Sequence, residues 1–426
     1  MKILIEKASV LTMTDAETGI RQIGIEDDTI LFIGSPPDGF SPDKVIDGTD
    51  CLVMPGLVNA HTHSAMSLLR NYADDIPFWE WLTEKVWPVE ERMSADDIYW
   101  GSMLSIAEMI RSGITSFADM YFQSEATARA AADSGIRCSI AKGLIGTSDE
   151  DNKRFLDTRR LVNDWHQTHD GRITVMAGPH APYTCDDSFI GKVLDLCVEL
   201  KLPVHIHLSE SKKEVNDSME KHGHSPIQHM NRLGVFNHHT LAAHCVHLMP
   251  DDYGILQENY VHVVHNPASN LKLGNGIAPL SKMLQAGIVV SLGTDGSSSN
   301  NNLNLFEEMN LASLLAKGIN QNPAVVPAYE VLRMGTINGA KALNIDNHVG
   351  TLEAGKKADL ILVDLKKPHF YPRYNLISSL IYSAQASDVK TVIINGQIVM
   401  EDRVLTTIDI ERTYDHINTI CDRLLT

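Results

Sequence analysis

Two histidines at the end of an apolar run, in "VNAHTHSAM" at residues 58–66, are the first candidates for chemistry. In an extended strand, residues i and i+2 point to the same face, so His61 and His63 are expected to project side by side. Paired imidazoles of this kind are either buried polar residues satisfied by hydrogen bonds or half of a metal site. The rest of the sequence must discriminate between these two interpretations.

Further candidate residues stand where other apolar runs end. They are His180 after "ITVMAGP", His207 and Glu210 in "LPVHIHLSE", His244 in "TLAAHC" and Asp295 in "VVSLGTDG". Imidazole nitrogen and carboxylate oxygen are ligands of borderline metals such as zinc, and a catalytic site keeps one position for water. The sequence therefore predicts a metal site with water as a fifth ligand. The four protein ligands are His61, His63, His207 and Asp295.

The order of the apolar runs predicts the elements that position these residues. Strand-like runs such as "ITSFADMYF" and "RCSIAKGLI" alternate with helical stretches such as "SFIGKVLDLCVELKL". Eight such strands over about 290 residues fit an α/β fold, a (β/α)8 TIM-like barrel with its active site at the carboxyl ends of the strands. An open doubly wound sheet is the alternative arrangement, but no G-x-G-x-x-G motif follows a first strand.

Both ends of the chain have the composition of short strands. The runs "MKILIEKASVLTM" and "QIGIEDDTILFIGS" open the sequence, and "ADLILVDL" and "VKTVIINGQIVMED" lie near its end. Asn395-Gly396 in the last run is typical of a two-residue hairpin turn. We therefore expect a small composite β-sandwich domain from residues 1–54 and 347–426, and a catalytic barrel over residues 55–346.

Composition and charge exclude two classes of partner. The formal net charge is −18 and no lysine- or arginine-rich block occurs, which argues against a nucleic-acid-binding protein. No apolar run approaches the roughly 20 residues of a membrane-spanning helix. The six cysteines are scattered without a C-x-x-C pair, as expected for reduced thiols in a cytoplasmic protein. The sequence leaves open whether the chain forms a homo-oligomer.

Four motifs in this order resemble the amidohydrolase superfamily: "PGLVNAHTH", "PVHIHLSE", "HNPASNLKL" and "SLGTDGSSSNN". The segment "FWEWLTEKVWPVEERM" after the first barrel strand narrows the resemblance to the 5-methylthioadenosine/S-adenosylhomocysteine deaminase branch. The resemblance covers essentially the whole chain, including the divided β domain. It implies a small-molecule nucleoside as substrate and a divalent metal as cofactor.

The resemblance implies one metal ion, Zn²⁺ or alternatively Fe²⁺, on the ligands already chosen. Binuclear relatives place a carbamylated lysine at the fourth strand, where this chain has "MAGPH" and His180. The other zinc deaminase design needs P-C-x-x-C, which is absent. The metal would make hydroxide available for attack on C6 of an adenine ring. Asp295 would accept a proton, His244 would orient the hydroxide, and Glu210 would protonate N1 and the leaving ammonia.

The resemblance also implies substrate contacts in addition to those of Glu210 and Asp295. Glu90 matches an acceptor for ribose hydroxyls, and His180 matches a residue that hydrogen-bonds the substrate. Arg154 matches a position linked to the carboxylate of S-adenosylhomocysteine, and Lys142 stands where relatives often carry arginine. A lysine keeps the charge but lacks the bidentate fork of arginine.

Two alternatives to this function remain. The same fold and metal could act on another ring, such as guanine, another adenosine derivative or a chlorinated triazine. Glu90 argues against a free base or a triazine, since neither offers a ribose for it to bind. The second alternative is a catalytically silent scaffold with the amidohydrolase fold. The presence of every proposed ligand and of Glu210 argues against it.

Overall fold

The computed structural model describes residues 1–146 and 152–425. Its strands, in chain order, are β1 (Lys2–Leu11), β2 (Thr18–Glu26), β3 (Thr29–Ile33), β4 (Lys44–Asp47), β5 (Cys51–Pro55), β6 (Leu57–Thr62), β7 (Ile114–Tyr121), β8 (Arg137–Leu144), β9 (Ile173–Pro179), β10 (Val204–Leu208), β11 (Thr240–His244), β12 (His262–His265), β13 (Val290–Leu292), β14 (Leu360–Asp364), β15 (Val389–Ile394), β16 (Gln397–Glu401) and β17 (Val404–Leu405). The helices of six residues or more are Ser64–Leu69, Trp81–Val86, Ala95–Arg111, Ser124–Ser134, Asn152–Trp165, Asp187–Leu200, Lys212–His222, Pro226–Leu233, Asp252–Glu258, Pro267–Lys272, Leu280–Gln285, Leu305–Asn320, Ala328–Met334, Ile337–Ala342, Leu376–Tyr382 and Ile410–Leu425. None of the described helices is long and apolar enough to cross a membrane.

Strands β6 to β13 form the barrel. Among the described residues they make one sheet of eight strands in sequence order, and each neighbouring pair is parallel. The first and last strands meet where the amide of Asp295 donates to the carbonyl of His61 at 3.0 Å. The amide of Thr294 donates to Asn59 Oδ1 at the same distance. The predicted TIM-like fold class is therefore confirmed.

The barrel strands are apolar because helices cover their outer face and side chains fill their interior. Every residue of β7 and of β10 is buried, so these strands read as continuous apolar runs and not as alternating ones. Polar side chains are tolerated where such a strand ends and its backbone opens into a loop. The candidate site residues stand at those ends, at the active-site face of a barrel of this type.

The other strands come from both ends of the chain, as expected. Among the described residues, nine of them form one mixed sheet in which β14 pairs antiparallel with β5 and so joins the two halves. Alternate residues of β5 face opposite sides. Leu52 and Met54 pack in the core shared with the barrel, whereas Cys51 and Val53 pack in the sheet's own core. The expectation that strands from both termini form one separate β structure is therefore confirmed, as a single mixed sheet, while the domain bounds stay a prediction.

Gly56 marks the passage from this sheet into the barrel. It lies between β5 and β6, two strands that the sequence presents as the single run "CLVMPGLVNAH". A Cβ atom at Gly56 would lie 2.1 Å from the side chain of Thr115, so a larger residue would displace β7. The glycine allows the two sheets to approach closely at this point.

The C-terminal segment differs from the expected run of short strands. The helix Ile410–Leu425 follows the last strand, and Ile420 and Leu424 on it are buried. These two residues and the half-buried Ile417 recur at a spacing of three to four, which produces one apolar helical face. This face joins the core of the barrel beside the helix Ala95–Arg111. The helical periodicity was present in the sequence but was outweighed by the β-rich residues before it.

Candidate active site

Four potential metal ligands meet at the carboxyl ends of the barrel strands. Asp295 Oδ1 lies 3.3 Å from His61 Nε2 and 3.2 Å from His63 Nε2. His207 Nε2 lies 3.3 Å from His63 Nε2. Metal–ligand bonds of about 2.0–2.1 Å at tetrahedral angles separate neighbouring ligand atoms by about 3.3 Å. The four side chains therefore have the spacing of an inner coordination shell.

Hydrogen bonds at the Nδ1 atoms orient two of these imidazoles. His63 donates through Nδ1 to the carbonyl of Met120 at 2.7 Å. His207 donates through Nδ1 to the carbonyl of His180 at 2.8 Å. The two Nε2 atoms then lie 3.3 Å apart. A positive charge, either a proton on His63 or a metal ion, is needed to offset the repulsion of their lone pairs, and a metal ion would be bound by both atoms.

His61 shows the same arrangement one layer deeper in the barrel. Its Nδ1 atom lies 2.8 Å from His205 Nε2, so the buried His205 is the hydrogen-bonding partner of this ring inside the barrel. The Nε2 atom of His61 is buried and makes no hydrogen bond among the described residues. An unpaired buried nitrogen is costly. Coordination of a cation by this atom would satisfy it.

The electrostatics of the cluster also favour a cation. Burial lowers the pKa of His61 to about 4, and burial keeps the pKa of His207 well below its usual value. Burial acts in the same direction on His63, but the hydrogen bond and charge of Asp295 outweigh it and raise the His63 pKa to about 9. The cluster thus combines neutral imidazoles with one position that attracts positive charge. This donor set fits a divalent metal of the zinc type.

Two serines hold the outer oxygen of Asp295. Ser269 Oγ donates to Asp295 Oδ2 at 2.6 Å, and Ser299 Oγ donates to the same atom at 2.8 Å. The inner oxygen, Oδ1, is thereby left facing His61 and His63. Neither serine was singled out from the sequence, although both lie in the quoted motifs "HNPASNLKL" and "SLGTDGSSSNN". Their hydroxyls fix the direction of the carboxylate.

Glu210 lies beside the cluster without joining it. Its side chain is buried, and Asn275 Nδ2 donates to Oε1 at 2.8 Å. Oε2 lies 3.9 Å from His244 Nε2. Burial raises the pKa of Glu210 above its usual value, which favours a carboxyl group that can carry a proton. The sequence did not indicate Asn275 as the partner of Glu210.

His244 ends β11 and faces Glu210 across the same mouth. Its Nδ1 atom lies 2.9 Å from Asn270 Oδ1, so the ring donates to this amide oxygen and keeps a lone pair on Nε2. His244 has a φ of 74°, a left-handed conformation that turns the chain sharply where the strand ends. The Nε2 atom is therefore available to a group bound between Glu210 and the ligand cluster.

A pocket opens above these residues, and its walls include the segment after the first barrel strand. Phe78, Trp81 and Trp87 form an apolar wall, while Glu210 and His244 line the floor. The structure thereby separates the tryptophans of "FWEWLTEKVWPVEERM" into two groups. Trp79 is absent from the described lining and packs its ring against Tyr183, 5.2 Å away.

Glu90 provides a buried carboxyl group on the same wall. Its side chain is buried, and Tyr121 Oη donates to Oε1 at 2.6 Å. Burial raises the pKa of Glu90 to about 6, against the opposing effect of the Tyr121 hydrogen bond. Glu90 is thus a well-held hydrogen-bond acceptor that faces the pocket.

His180 lies between the cluster and the pocket. It follows β9 directly, and its ring centroid is 4.7 Å from that of His207. The Nδ1 atom lies 3.0 Å from Thr184 Oγ1. Burial lowers the pKa of His180 to about 3, so the ring is neutral and its other nitrogen is left for a bound molecule.

Comparison with known proteins agrees with this arrangement. The model of the Amidohydrolase family matches residues 52–399, which include the barrel and part of the terminal sheet. The chain belongs to the amidohydrolase family.

Individual relatives match this amidohydrolase over nearly its whole length. A protein named 5-methylthioadenosine/S-adenosylhomocysteine deaminase from Thermoanaerobacter pseudethanolicus is 53% identical over 416 residues, covering 97% of this chain and 96% of the relative. A protein of the same name from Caldanaerobacter subterraneus is 50% identical over 97% of this chain and 96% of the relative. The structure of an adenosine deaminase from Xanthomonas campestris with bound zinc has a TM-score of 0.95 and 33% identity, covering 99% of this chain and 98% of that chain. The resemblance inferred from the motifs is confirmed.

Lys142 of this amidohydrolase does not reach the pocket. Successive residues of β8 point to opposite sides, and Gly143 lines the pocket while Lys142 points away. Lys142 Nζ donates to the carbonyl of Phe122 at 2.8 Å and lies 3.7 Å from Asp157 Oδ2. A substrate contact by Lys142 would require this ammonium group to leave both partners.

Arg154 lies nearer to the pocket than Lys142 does. It lines a groove whose walls also include Trp87, Glu90 and Phe122, three residues that line the pocket itself. The groove therefore continues outward from the pocket wall that carries Glu90. Arg154 is half-buried there.

A second group of potential ligands lies outside the lining of this pocket. His229 Nε2 lies 2.8 Å from Asp187 Oδ1, and the rings of His222 and His229 stack with centroids 3.8 Å apart. These residues belong to helices outside the barrel sheet, and Asp187 is exposed. None of the three residues lines the pocket that contains Glu210 and the ligand cluster, so the group is not the candidate active site of this amidohydrolase.

Proposed function

We propose that this amidohydrolase removes ammonia from the adenine ring of 5'-methylthioadenosine, S-adenosylhomocysteine or both. The observation that carries the proposal is the shared pocket, in which Glu210 stands beside the ligand cluster and Glu90 stands on the wall above it. Glu210 is placed for proton transfer to a ring nitrogen, and Glu90 is placed for recognition of ribose. The names of the two bacterial relatives support the same substrates. Formation of ammonia and the inosyl product from 5'-methylthioadenosine tests the proposal directly.

The proposed metal site has one divalent ion on His61, His63, His207 and Asp295. Zn²⁺ is the preferred ion because the donors are imidazoles and a carboxylate, and the Xanthomonas relative has bound zinc. Fe²⁺ is the alternative. When bound, such an ion lowers the pKa of water so that a nucleophile is available near neutral pH.

The protein's own groups handle the protons of the reaction. Glu210 would protonate N1 of the adenine ring and later pass a proton to the departing ammonia. Asn275 holds one carboxyl oxygen of Glu210 by a 2.8 Å hydrogen bond, which leaves the other for the ring. Asp295 would accept the proton released by the attacking water, and Nε2 of His244 would accept a hydrogen bond from that water and orient it.

The pocket walls would bind the rest of the nucleoside. Glu90 would accept hydrogen bonds from the ribose hydroxyls, with Tyr121 holding its other side. The neutral ring of His180 would hydrogen-bond the base, and Trp81 and Trp87 would exclude water from its apolar faces.

Removal of the Glu90 carboxyl is expected to weaken every ribose-bearing substrate. Glu90→Ala should raise the KM for 5'-methylthioadenosine and for S-adenosylhomocysteine by about 10- to 150-fold, the value of a hydrogen bond to a charged group. Steady-state rates of ammonia release give the KM for each of the two substrates. The exposed Glu84→Ala on the same segment is the matched control. An unchanged KM in Glu90→Ala would reassign the pocket to a substrate without ribose.

Arg154 is expected to separate the two substrates, because only S-adenosylhomocysteine carries a carboxylate. Arg154→Ala should raise its KM by about 10- to 150-fold through loss of a charge-assisted hydrogen bond. The KM for 5'-methylthioadenosine should stay nearly constant. Lys153→Ala removes a neighbouring exposed cation and serves as the control. Equal losses for both substrates would show that Arg154 does not bind the carboxylate.

A further inference from the structure

The carboxylate of Glu214 holds the main chain at Glu210. Glu214 lies in the first turn of the helix Lys212–His222, with its side chain turned back toward the preceding loop. Oε1 accepts the amide N–H of Ser209 at 2.8 Å, and Oε2 accepts the amide N–H of Glu210 at 2.7 Å. Both oxygens are thus used on two consecutive peptide groups. The side chain of Glu214 is buried.

The loop needs this support because its backbone is unusual. Ser209 has a φ of 52°, a left-handed conformation that residues with a side chain rarely adopt. On its other side, the carbonyl of Ser209 accepts the amides of Val246 and His247 at 3.0 and 2.9 Å. The peptide is therefore held from both directions. This turn sends the side chain of Glu210 toward the mouth of the barrel.

Burial disfavours the charged form of Glu214 at this position. It raises the pKa of Glu214 to about 8, against the opposing effect of the two amide donors. Glu214 does not line the described pocket, so it has no direct contact with a bound nucleoside. Among the described residues, the hydrogen bonds of its side chain lead to the loop that carries Glu210. If Glu214 only capped the helix, its second carboxyl oxygen would not need to accept the amide N–H of Ser209.

From these contacts we infer that Glu214 is a positioning residue that fixes the backbone of Ser209 and Glu210 and thereby aims the Glu210 carboxyl at the substrate ring. This inference rests on the proposed role of Glu210. Glu214 acts through that residue and does not exchange a proton with the substrate.

The first test is the kinetics of Glu214→Gln. Glutamine keeps the shape, but its NH₂ group meets one backbone N–H and loses that hydrogen bond. Misplacement of a catalytic group by about 1 Å costs on the order of 100-fold, so kcat should fall by about 10- to 100-fold. KM should change by less than about threefold, because substrate binding uses other residues. Metal content should equal that of the wild-type protein. Loss of the metal, or full kcat, would overturn the inference.

A double-mutant cycle separates positioning from general destabilisation. In the Glu210→Gln background, adding Glu214→Gln should change kcat by less than about twofold, because the group that Glu214 aims is already inactive. Additive losses would show that Glu214 acts by another route and would overturn the inference. If Glu210→Gln itself is fully active, the proposed function has failed. If Glu210→Gln is slow while Glu214→Gln is fast, only the role of Glu214 has failed.

Two further variants distinguish a positioning effect from a general loss of folding stability. Ser225→Ala removes the hydroxyl that caps the neighbouring helix Pro226–Leu233, where it accepts the amide of Gln228 at 3.1 Å. It should lower stability and leave kcat unchanged. Glu214→Asp retains the carboxyl group but shortens its reach, so it should lower kcat with metal content intact. An Asp variant with wild-type kcat would contradict the positioning role even if the Gln variant cannot be purified.

Discussion

Replacement of His207 by alanine is expected to remove metal binding and turnover together. His207 supplies one of four ligand atoms, and its ring is held by the carbonyl of His180 at 2.8 Å. Loss of a residue that only supports a ligand reduces metal affinity by about 10- to 100-fold, so loss of the ligand itself should exceed about 100-fold. Elemental analysis of the purified protein measures the metal, and ammonia release measures turnover.

His61→Ala, His63→Ala and Asp295→Ala should behave in the same way. The control is His238→Ala, since His238 precedes β11 at the amino end of the barrel and contacts none of the ligands. That variant should keep one metal ion per chain and full activity. Stoichiometric metal and undiminished turnover in His207→Ala would show that the ligand set is wrong.

The second large effect is expected at Glu210. Glu210→Gln keeps the size of the side chain but cannot carry a proton to N1 or to ammonia. Turnover should fall by roughly 10²- to 10⁴-fold, the range attributed to general acid–base catalysis. Metal content should stay at the wild-type value, because the structure places Glu210 beside the cluster and not in it.

Glu220→Gln, on the exposed face of the following helix, is the matched control for this substitution. It should leave both metal content and turnover unchanged. A Glu210→Gln protein that loses its metal would make Glu210 a ligand. One that retains full turnover would require another residue to move the proton.

The barrel was predictable because each of its strands leaves a strong local signal. Buried parallel strands are continuous apolar runs, and their polar ends stand out against them, as at His207 and His244. Parallel strands of a barrel all end at one face, so the residues at those ends converge without any long-range information. This is why the histidines and Asp295 could be grouped before the structure was known.

The supporting residues could not be predicted in the same way. Ser269 in the helix Pro267–Lys272 and Ser299 in the turn after β13 contact one oxygen of Asp295, and Asn275 reaches Glu210 across 65 residues of sequence. A hydroxyl or amide has no periodicity that indicates its partner. For Lys142, the sequence did not reveal the direction of the side chain. The alternation of β8 directs Lys142 away from the pocket, whereas its neighbour Gly143 lines the pocket. Such directions depend on the exact register of the strand.

The C-terminal helix shows how neighbouring segments can mislead. Ile417, Ile420 and Leu424 have helical spacing, but they follow three short strands and a hairpin with clear β signals. Local composition thus favoured strands where the tertiary core selects a helix. The final apolar face is stabilised by the barrel helix on which it packs.

The most direct test of the proposed function is ammonia release by the purified, Zn²⁺-loaded protein from a panel of amino-substituted rings. The panel contains 5'-methylthioadenosine, S-adenosylhomocysteine, adenine, guanine and a chlorinated triazine, with chloride release followed for the last. We expect one ammonia and one inosyl product per nucleoside consumed. The kcat/KM for the better nucleoside should exceed that for free adenine by at least about 10-fold, because Glu90 contributes a charge-assisted hydrogen bond to ribose alone. Turnover of guanine or the triazine, with no ammonia from either nucleoside, would contradict the account.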